Sequence, residues 1–187
     1  MYLTKLAHLE QTIAGPLEFS GVGLHSGAPV TMRMLPAPAG SGIVFRRTDL
    51  DNFEIPANGR NVAKVSYATS LMRQGVLIQT TEHLLSALIG MGVDNVIIEV
   101  DNLELPILDG SALPFVEAIH ASGLQSQGCP ARVAVLNKTL SLDLGGNRME
   151  ASPAAHFSIE IETTFGNWPA GDARGLLVID FDGELFT

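Results

Sequence analysis

The stretch that leaves this chain the fewest ways to fold is residues 80–100. Leu84, Leu85, Leu88 and Ile89 recur as one buried helix face, Thr80 or Thr81 can cap the start, and Gly90 and Gly92 stop the end. Almost at once the chain enters Asn95-Val96-Ile97-Ile98-Glu99-Val100, a β-branched apolar run that predicts a strand covered on both faces and central to its sheet. A short apolar helix feeding such a strand requires a sheet with helices packed on it. Glu82 and His83 then fall in the first helical turn. A carboxylate there is favoured by the positive end of the helix dipole, and the adjacent imidazole can serve as a neutral ligand.

Upstream, residues 13–19 and 30–35 read as strands joined by Ser20-Gly21-Val22-Gly23-Leu24-His25-Ser26-Gly27, a hairpin-like unit. Its glycines do not make a nucleotide loop. A dinucleotide fingerprint needs a third Gly where Ser26 stands, and a Walker loop needs a Lys that is absent. His25 projects from a Gly-flanked turn, a position from which it can face a cleft or simply solvent. Residues 42–47 form a further strand on which Arg46 and Arg47 point to opposite faces, so at most one serves any given site. Residues 49–52 turn into a strand at 53–56, and residues 62–71 and 76–80 read as a strand pair around Arg73-Gln74-Gly75. After the central strand, Asp109 lies in a bend where it can bond nearby amides or face a site. Ser111 is placed to cap a second helix over about 113–121, with Pro114 in its first turn and Gly123 past its end.

Residues 124–130 are polar and turn-rich and read as a domain boundary. A first α+β domain, 1–125, carries the Glu-His helix. A second, 126–187, holds strands only, at 131–143, 148–152, 157–165 and 176–181, with a loop around Trp168-Pro169-Ala170-Gly171. The expected fold class is α+β: two tandem β-α-α-β type units, each with a sheet packed on helices, the second truncated after its strands. A sheet whose apolar face has no helix to cover it predicts self-association or instability of the chain alone.

An apolar fraction of 46% supports a real core. The net charge of −9 is spread along the chain and the eleven basic residues form no block, which argues against nucleic acid as a partner. No stretch approaches the roughly 18 apolar residues of a membrane span. Cys129, being alone, forms no internal disulfide and fits a reducing, cytoplasmic setting.

Four motifs stand in order: Gly21-Val22-Gly23-Leu24-His25-Ser26-Gly27, Phe45-Arg46-Arg47-Thr48-Asp49-Leu50, the helix stretch from Thr80-Thr81-Glu82-His83 to Val93-Asp94-Asn95, and Pro106-Ile107-Leu108-Asp109-Gly110-Ser111-Ala112. In sequence and spacing the chain resembles the UDP-3-O-acyl-N-acetylglucosamine deacetylases of lipid A biosynthesis, strongly to about Gly123 and more weakly beyond. The resemblance implies a zinc-dependent hydrolase that removes acetate from the 2-acetamido group of a UDP-linked, 3-O-acylated glucosamine, the committed step toward lipid A. It implies Glu82 as general base and His83 as zinc ligand. The physical reading agrees, since zinc lowers the pKa of bound water to about 7 and a neighbouring carboxylate can accept its proton. Leu24, His25, Tyr67, Ala68 and Phe165 match the family's substrate-binding lining. After Phe165 the family pattern is usually one residue shorter and carries a His before the Pro, where this chain has Gly166-Asn167-Trp168-Pro169.

The family's other zinc ligands, a His and an Asp on a helix, and a late His acting as acid have no counterpart here, and His8, His120 and His156 occupy no matching motif. One assignable ligand, where a catalytic zinc usually takes three, predicts weak zinc binding and slow turnover by this chain alone, the further ligands being expected from a missing C-terminal part. A local site built from His25, His83 and Asp109 is not supported by the resemblance. The alternative reading is a non-catalytic homologue that keeps the fold to bind a nucleotide sugar or a protein partner.

Overall fold

Alternation in Pro29-Val30-Thr31-Met32-Arg33-Met34, with every second side chain apolar, sets one face of a sheet toward a core and the other toward water. In the computed structural model, which describes residues 9–63, 67–132, 136–155, 157–165 and 173–181, the chain divides into two units, residues 1–132 and 133–187. The first holds β1 (Leu9–Ile13), β2 (Leu17–Val22), β3 (Pro29–Pro36), β4 (Ile43–Arg47), β5 (Phe53–Pro56), β6 (Leu71–Arg73), β7 (Val76–Ile78), α1 (Glu82–Gly90), β8 (Val96–Val100), α2 (Leu113–Ser122) and β9 (Leu124–Pro130).

Its main sheet runs β2-β3-β8-β4-β5, so the β-branched run of β8 is the middle strand, as expected. β4 and β8 are parallel and the other neighbours antiparallel. Met32, Met34, Phe45, Ile55, Val96, Ile98 and Val100 are buried on the inner face, together with Leu84, Ala87 and Leu88 of α1 and Phe115 and Ile119 of α2. Full burial of each large side chain contributes roughly 1.5–3 kcal/mol. Phe115 also meets Phe19 of β2 edge to face, with ring centroids 5.1 Å apart. The architecture is α+β, with helices packed on one side of a sheet.

The other side of the sheet carries charge, and this corrects the expectation that β8 is covered on both faces. Val96, Ile98 and Val100 are buried, whereas Ile97 and Glu99 are only half-buried. Glu99 lies in register with Arg33 on one neighbour and Arg46 on the other, and the register extends outward to Glu18 and Glu54. The resulting row Glu18-Arg33-Glu99-Arg46-Glu54 is ion-paired throughout, at 3.2, 3.5, 3.0 and 2.8 Å. Hydrogen bonding to Glu54 and Glu99 raises the Arg46 pKa against the opposing effect of partial burial.

Other segments depart from the sequence reading for identifiable reasons. Residues 124–130, read as a domain boundary, form β9, antiparallel to β1, and the division between the units falls just beyond it, after Arg132. Buried Asn95 explains why so polar a strand forms there: its amide donates to Gln127 of β9 at 2.8 Å and to Glu10 of β1 at 2.9 Å, and its oxygen accepts from the Gly42 amide. Residues 62–71 are not one strand. Val62 makes a single bridge to Leu71, and Tyr67 adopts φ 60°, which no strand residue does. On α1, Ile89 is 64% exposed, because it sits about 100° around the helix from Leu88, beyond the edge of the buried face. Gly92, at φ 72°, supplies the left-handed turn that ends the helix region. No helix among the described residues is long and apolar enough to cross a membrane.

The second unit contains hairpins β10 (Leu140–Leu144) with β11 (Asn147–Ala151) and β12 (Phe157–Phe165) with β13 (Ala173–Phe181), and among its described residues there is no helix. The expected loop around Trp168 lies outside the described residues, as do His8 and His156.

Replacing fully buried Phe45 by Ala should cost about 3–5 kcal/mol in urea unfolding, whereas Ile89→Ser should stay within about 0.5 kcal/mol. Equal losses would place Ile89 back in the core.

Candidate active site

The start of α1 is organised by backbone partners more than by a side-chain cap. Thr81 is the N-cap residue but makes no side-chain cap bond, contrary to the role expected of Thr80 or Thr81. Its hydroxyl donates instead to the Thr69 carbonyl at 3.0 Å, and its amide donates to the same carbonyl at 3.1 Å. Glu82 Oε2 accepts from the Thr69 amide at 2.9 Å. Both polar groups of the Thr69 backbone are thus fastened to the first turn of the helix.

That fastening ties Glu82 to the segment on either side of which a cleft is lined. Tyr67 and Ala68, immediately before Thr69, line a hollow of about 380 Å³ together with His25, Ser70, Leu77 and Gln79. Two segments distant in sequence, at His25 and at Tyr67-Ala68, therefore share one cleft, and Glu82 bonds to Thr69, the residue that follows Ala68. Tyr67 is almost wholly exposed, and Leu24, beside His25, is also exposed but does not belong to this lining. Phe165 belongs to the second unit, at the end of β12 opposite Ala173.

Sequence reasoning passed over the residue that joins these pieces. Glu104 is 1% exposed, and its carboxylate accepts from the His25 amide at 3.0 Å, the Ser26 amide at 2.9 Å and the Thr80 hydroxyl at 2.8 Å. Burial by itself would raise its pKa. The His25 amide, the Ser26 hydroxyl and amide and the Thr80 hydroxyl outweigh that and bring it down to about 2. The Gly-rich turn folds around this carboxylate. A Cβ at Gly23 would collide with Glu104 Oε2 and Ser26 Oγ, so Gly23 is glycine because the carboxylate occupies that space. The only hint in sequence is an acid between two leucines ahead of a proline, Leu103-Glu104-Leu105-Pro106.

Two further motifs acquire structural roles. The Ile107 amide donates to the Val22 carbonyl at 3.0 Å, tying the bend to the end of β2. Asp109 accepts from the Ser111 amide at 2.8 Å and hydroxyl at 2.9 Å, which holds its pKa low, with a smaller contribution from the charge of His83. Ser111 in turn accepts from the Leu113 amide at the start of α2. Arg47 is buried, gripping Asp49 through two hydrogen bonds and donating to the Leu77 carbonyl at 2.7 Å, so it props a wall of the cleft. Arg46 belongs to the charged row on the opposite face.

The fit to zinc can be tested on the donor set. Among the described residues no three His, Cys, Asp or Glu side chains converge on a point that could hold a metal. His25, His83 and Asp109 therefore do not make a local metal site, and His83 by itself does not satisfy a catalytic zinc.

Residues 10–186 match the family described as UDP-3-O-acyl N-acetylglycosamine deacetylase. The chain is 54% identical over 156 residues to the UDP-3-O-acyl-N-acetylglucosamine deacetylase of Solibacter usitatus (strain Ellin6076), covering 83% of this chain and 53% of that protein. It is 39% identical over 179 residues to the deacetylase of the same name from Cellvibrio japonicus (strain Ueda107), covering 95% and 59% respectively. The corresponding protein of Myxococcus xanthus (strain DK1622) is 45% identical over 157 residues, covering 83% and 50%. The chain spans about half the length of the curated relatives it matches.

Because the folded-state pKa of Glu104, about 2, lies below its ordinary 4.5, its stabilisation is fully present above the ordinary value and is lost as pH falls through the folded one. The difference corresponds to roughly 3 kcal/mol at neutral pH. Urea midpoints measured from about pH 5 down to pH 2 should fall steeply in the parent chain and flatten in Glu104→Gln. Gly23→Ala, which forces the carboxylate out of its seat, should destabilise by about 1–3 kcal/mol in the same assay.

Proposed function

The chain belongs to the UDP-3-O-acyl-N-acetylglucosamine deacetylase family, and on that premise we propose that it forms the Glu82 wall of a zinc-dependent amide hydrolase. Its substrate is a UDP-linked, 3-O-acylated N-acetylglucosamine, the reaction is the committed step of lipid A biosynthesis, and its setting is the cytoplasm. The observation that carries the reading is the juxtaposition of Glu82 with the cleft shared by His25, Tyr67 and Ala68. His25 and Glu82 belong to two of the family's motifs and are separated widely in sequence.

In this reading Glu82 is the general base. One carboxylate oxygen is fixed by the Thr69 amide, which leaves the other to take a proton from the water that attacks the acetamide carbonyl. Collapse of the tetrahedral adduct breaks the C–N bond and releases acetate, and the proton held by Glu82 or by an acid elsewhere in the enzyme passes to the departing amine. Leu24, His25, Tyr67 and Ala68 contact the nucleotide sugar, and for Phe165, in the second unit, a substrate-binding role rests on the family resemblance alone. His83 is this chain's contribution to the zinc, and its described residues do not complete the ligand set. The remaining ligands are assigned to the part of the relatives that this chain does not span. The same incomplete donor set is what favours the second reading, a homologue that binds a nucleotide sugar or a protein partner without turning it over.

Acetate release from UDP-3-O-acyl-N-acetylglucosamine, measured with the 187-residue chain and added zinc, should be slow, and zinc binding should be weak and abolished by His83→Ala. Glu82→Gln, which keeps an acceptor for the Thr69 amide, should lower the residual rate by about 10²–10⁴-fold without changing the fold. Rapid turnover that survives a chelator would overturn the zinc assignment. Binding of the substrate with no hydrolysis at any zinc concentration would favour the second reading.

A further inference from the structure

Thr80 has φ 59°, a conformation that a β-branched residue adopts only when its surroundings impose it. It is also 3% exposed and lies two residues before Glu82. What imposes the conformation is visible. The Thr80 hydroxyl donates to Glu104 Oε1, and the carboxylate that accepts it also takes the amides of His25 and Ser26. On the other side of the kink, the Gln79 amide donates to the Leu103 carbonyl at 2.8 Å and the Leu105 amide to the Gln79 carbonyl at 3.2 Å, so the Glu104 strip flanks the strained residue.

We propose that Glu104 is a positioning residue for the candidate active site: through one buried carboxylate it holds the strained Thr80 backbone and the His25 turn in fixed register, and so sets where Glu82 stands relative to the cleft. The side chain is withdrawn beneath the turn and its oxygens are occupied by the protein's own donors, so it does not act on substrate itself. Its effect on chemistry runs through Thr80 into Glu82 on one arm and through His25 into the cleft on the other. The consequence for turnover rests on the deacetylase reading; the mechanical coupling does not.

The test uses amide NMR spectra of the full chain, with deacetylation measured alongside. Glu104→Gln keeps the size of the side chain but cannot accept on both sides, because its amide nitrogen confronts either the Ser26 amide or the His25 amide, and neither N–H can accept. It should shift the amide resonances of residues 23–28 and of residues 80–83 together, while the resonances of β4 and β5 stay in place. Thr80→Val, which leaves the carboxylate with its two turn amides, should send a shift across to His25 and Ser26, and Thr80→Ser should restore the parent spectrum. If Glu104→Gln does not fold, the Thr80 pair carries the test unaided. Where the chain turns over, Glu104→Gln should lower kcat by on the order of a hundredfold with KM little changed, as expected for a displaced base. Shifts confined to one of the two segments, or a Thr80→Val spectrum unchanged at His25, would overturn the proposal. Coupled shifts in a chain that binds substrate but never releases acetate would uphold the positioning role and count against the deacetylase reading instead.

Discussion

A carboxylate taken out of water must be repaid in hydrogen bonds, and the packing of the first unit around its cleft follows from how Glu104 is repaid. Its donors come from positions about eighty residues upstream and from the residue that precedes the Thr81 cap. Because those donors cannot be released without stranding a buried charge, the Gly-rich turn, the entry to α1 and the strip before the Pro106 bend are held as one piece. Thr69 does the same for the segment that carries Tyr67 and Ala68, with its carbonyl and amide both given to the start of α1. A helix start that would otherwise fray is thus pinned from two directions, and the side chains offered to the cleft lie on backbone that has little freedom left.

Much of this was legible in the sequence where the signal is local. The apolar spacing of α1, the β-branched run of β8 as middle strand, Pro114 and Gly123 bracketing α2, and the hairpin of β2 and β3 all follow from residues a few positions apart. The family was legible too, because its four motifs are short and ordered, and residues 10–186 match it. The chemistry those motifs imply at Glu82 and His83 is a separate matter from their placement, which is what the geometry speaks to.

What the sequence did not show depends on distant partners. β9 is polar and reads as a turn-rich boundary until Asn95, thirty-two positions earlier, is seen bonding Gln127. The Tyr67 turn reads as a strand because propensity does not register a positive φ set by tertiary contacts. Glu104 has only a faint local signature, its flanking leucines, since an acid near a proline usually marks a solvated bend. Strand alternation puts Arg46 and Arg47 on opposite faces, but it does not tell that Arg47 turns inward to Asp49 and Leu77 while Arg46 joins a row of charges.

That row has a consequence at the rims of the sheet. It alternates in sign from strand to strand and terminates in glutamate at both outermost strands, Glu18 on β2 and Glu54 on β5. A second copy of the sheet sliding up to extend it, in either orientation, would bring carboxylate against carboxylate at the join. The same charges that neutralise one another within a molecule thereby repel between molecules, and they disfavour the edge-to-edge pairing that an outermost strand otherwise invites.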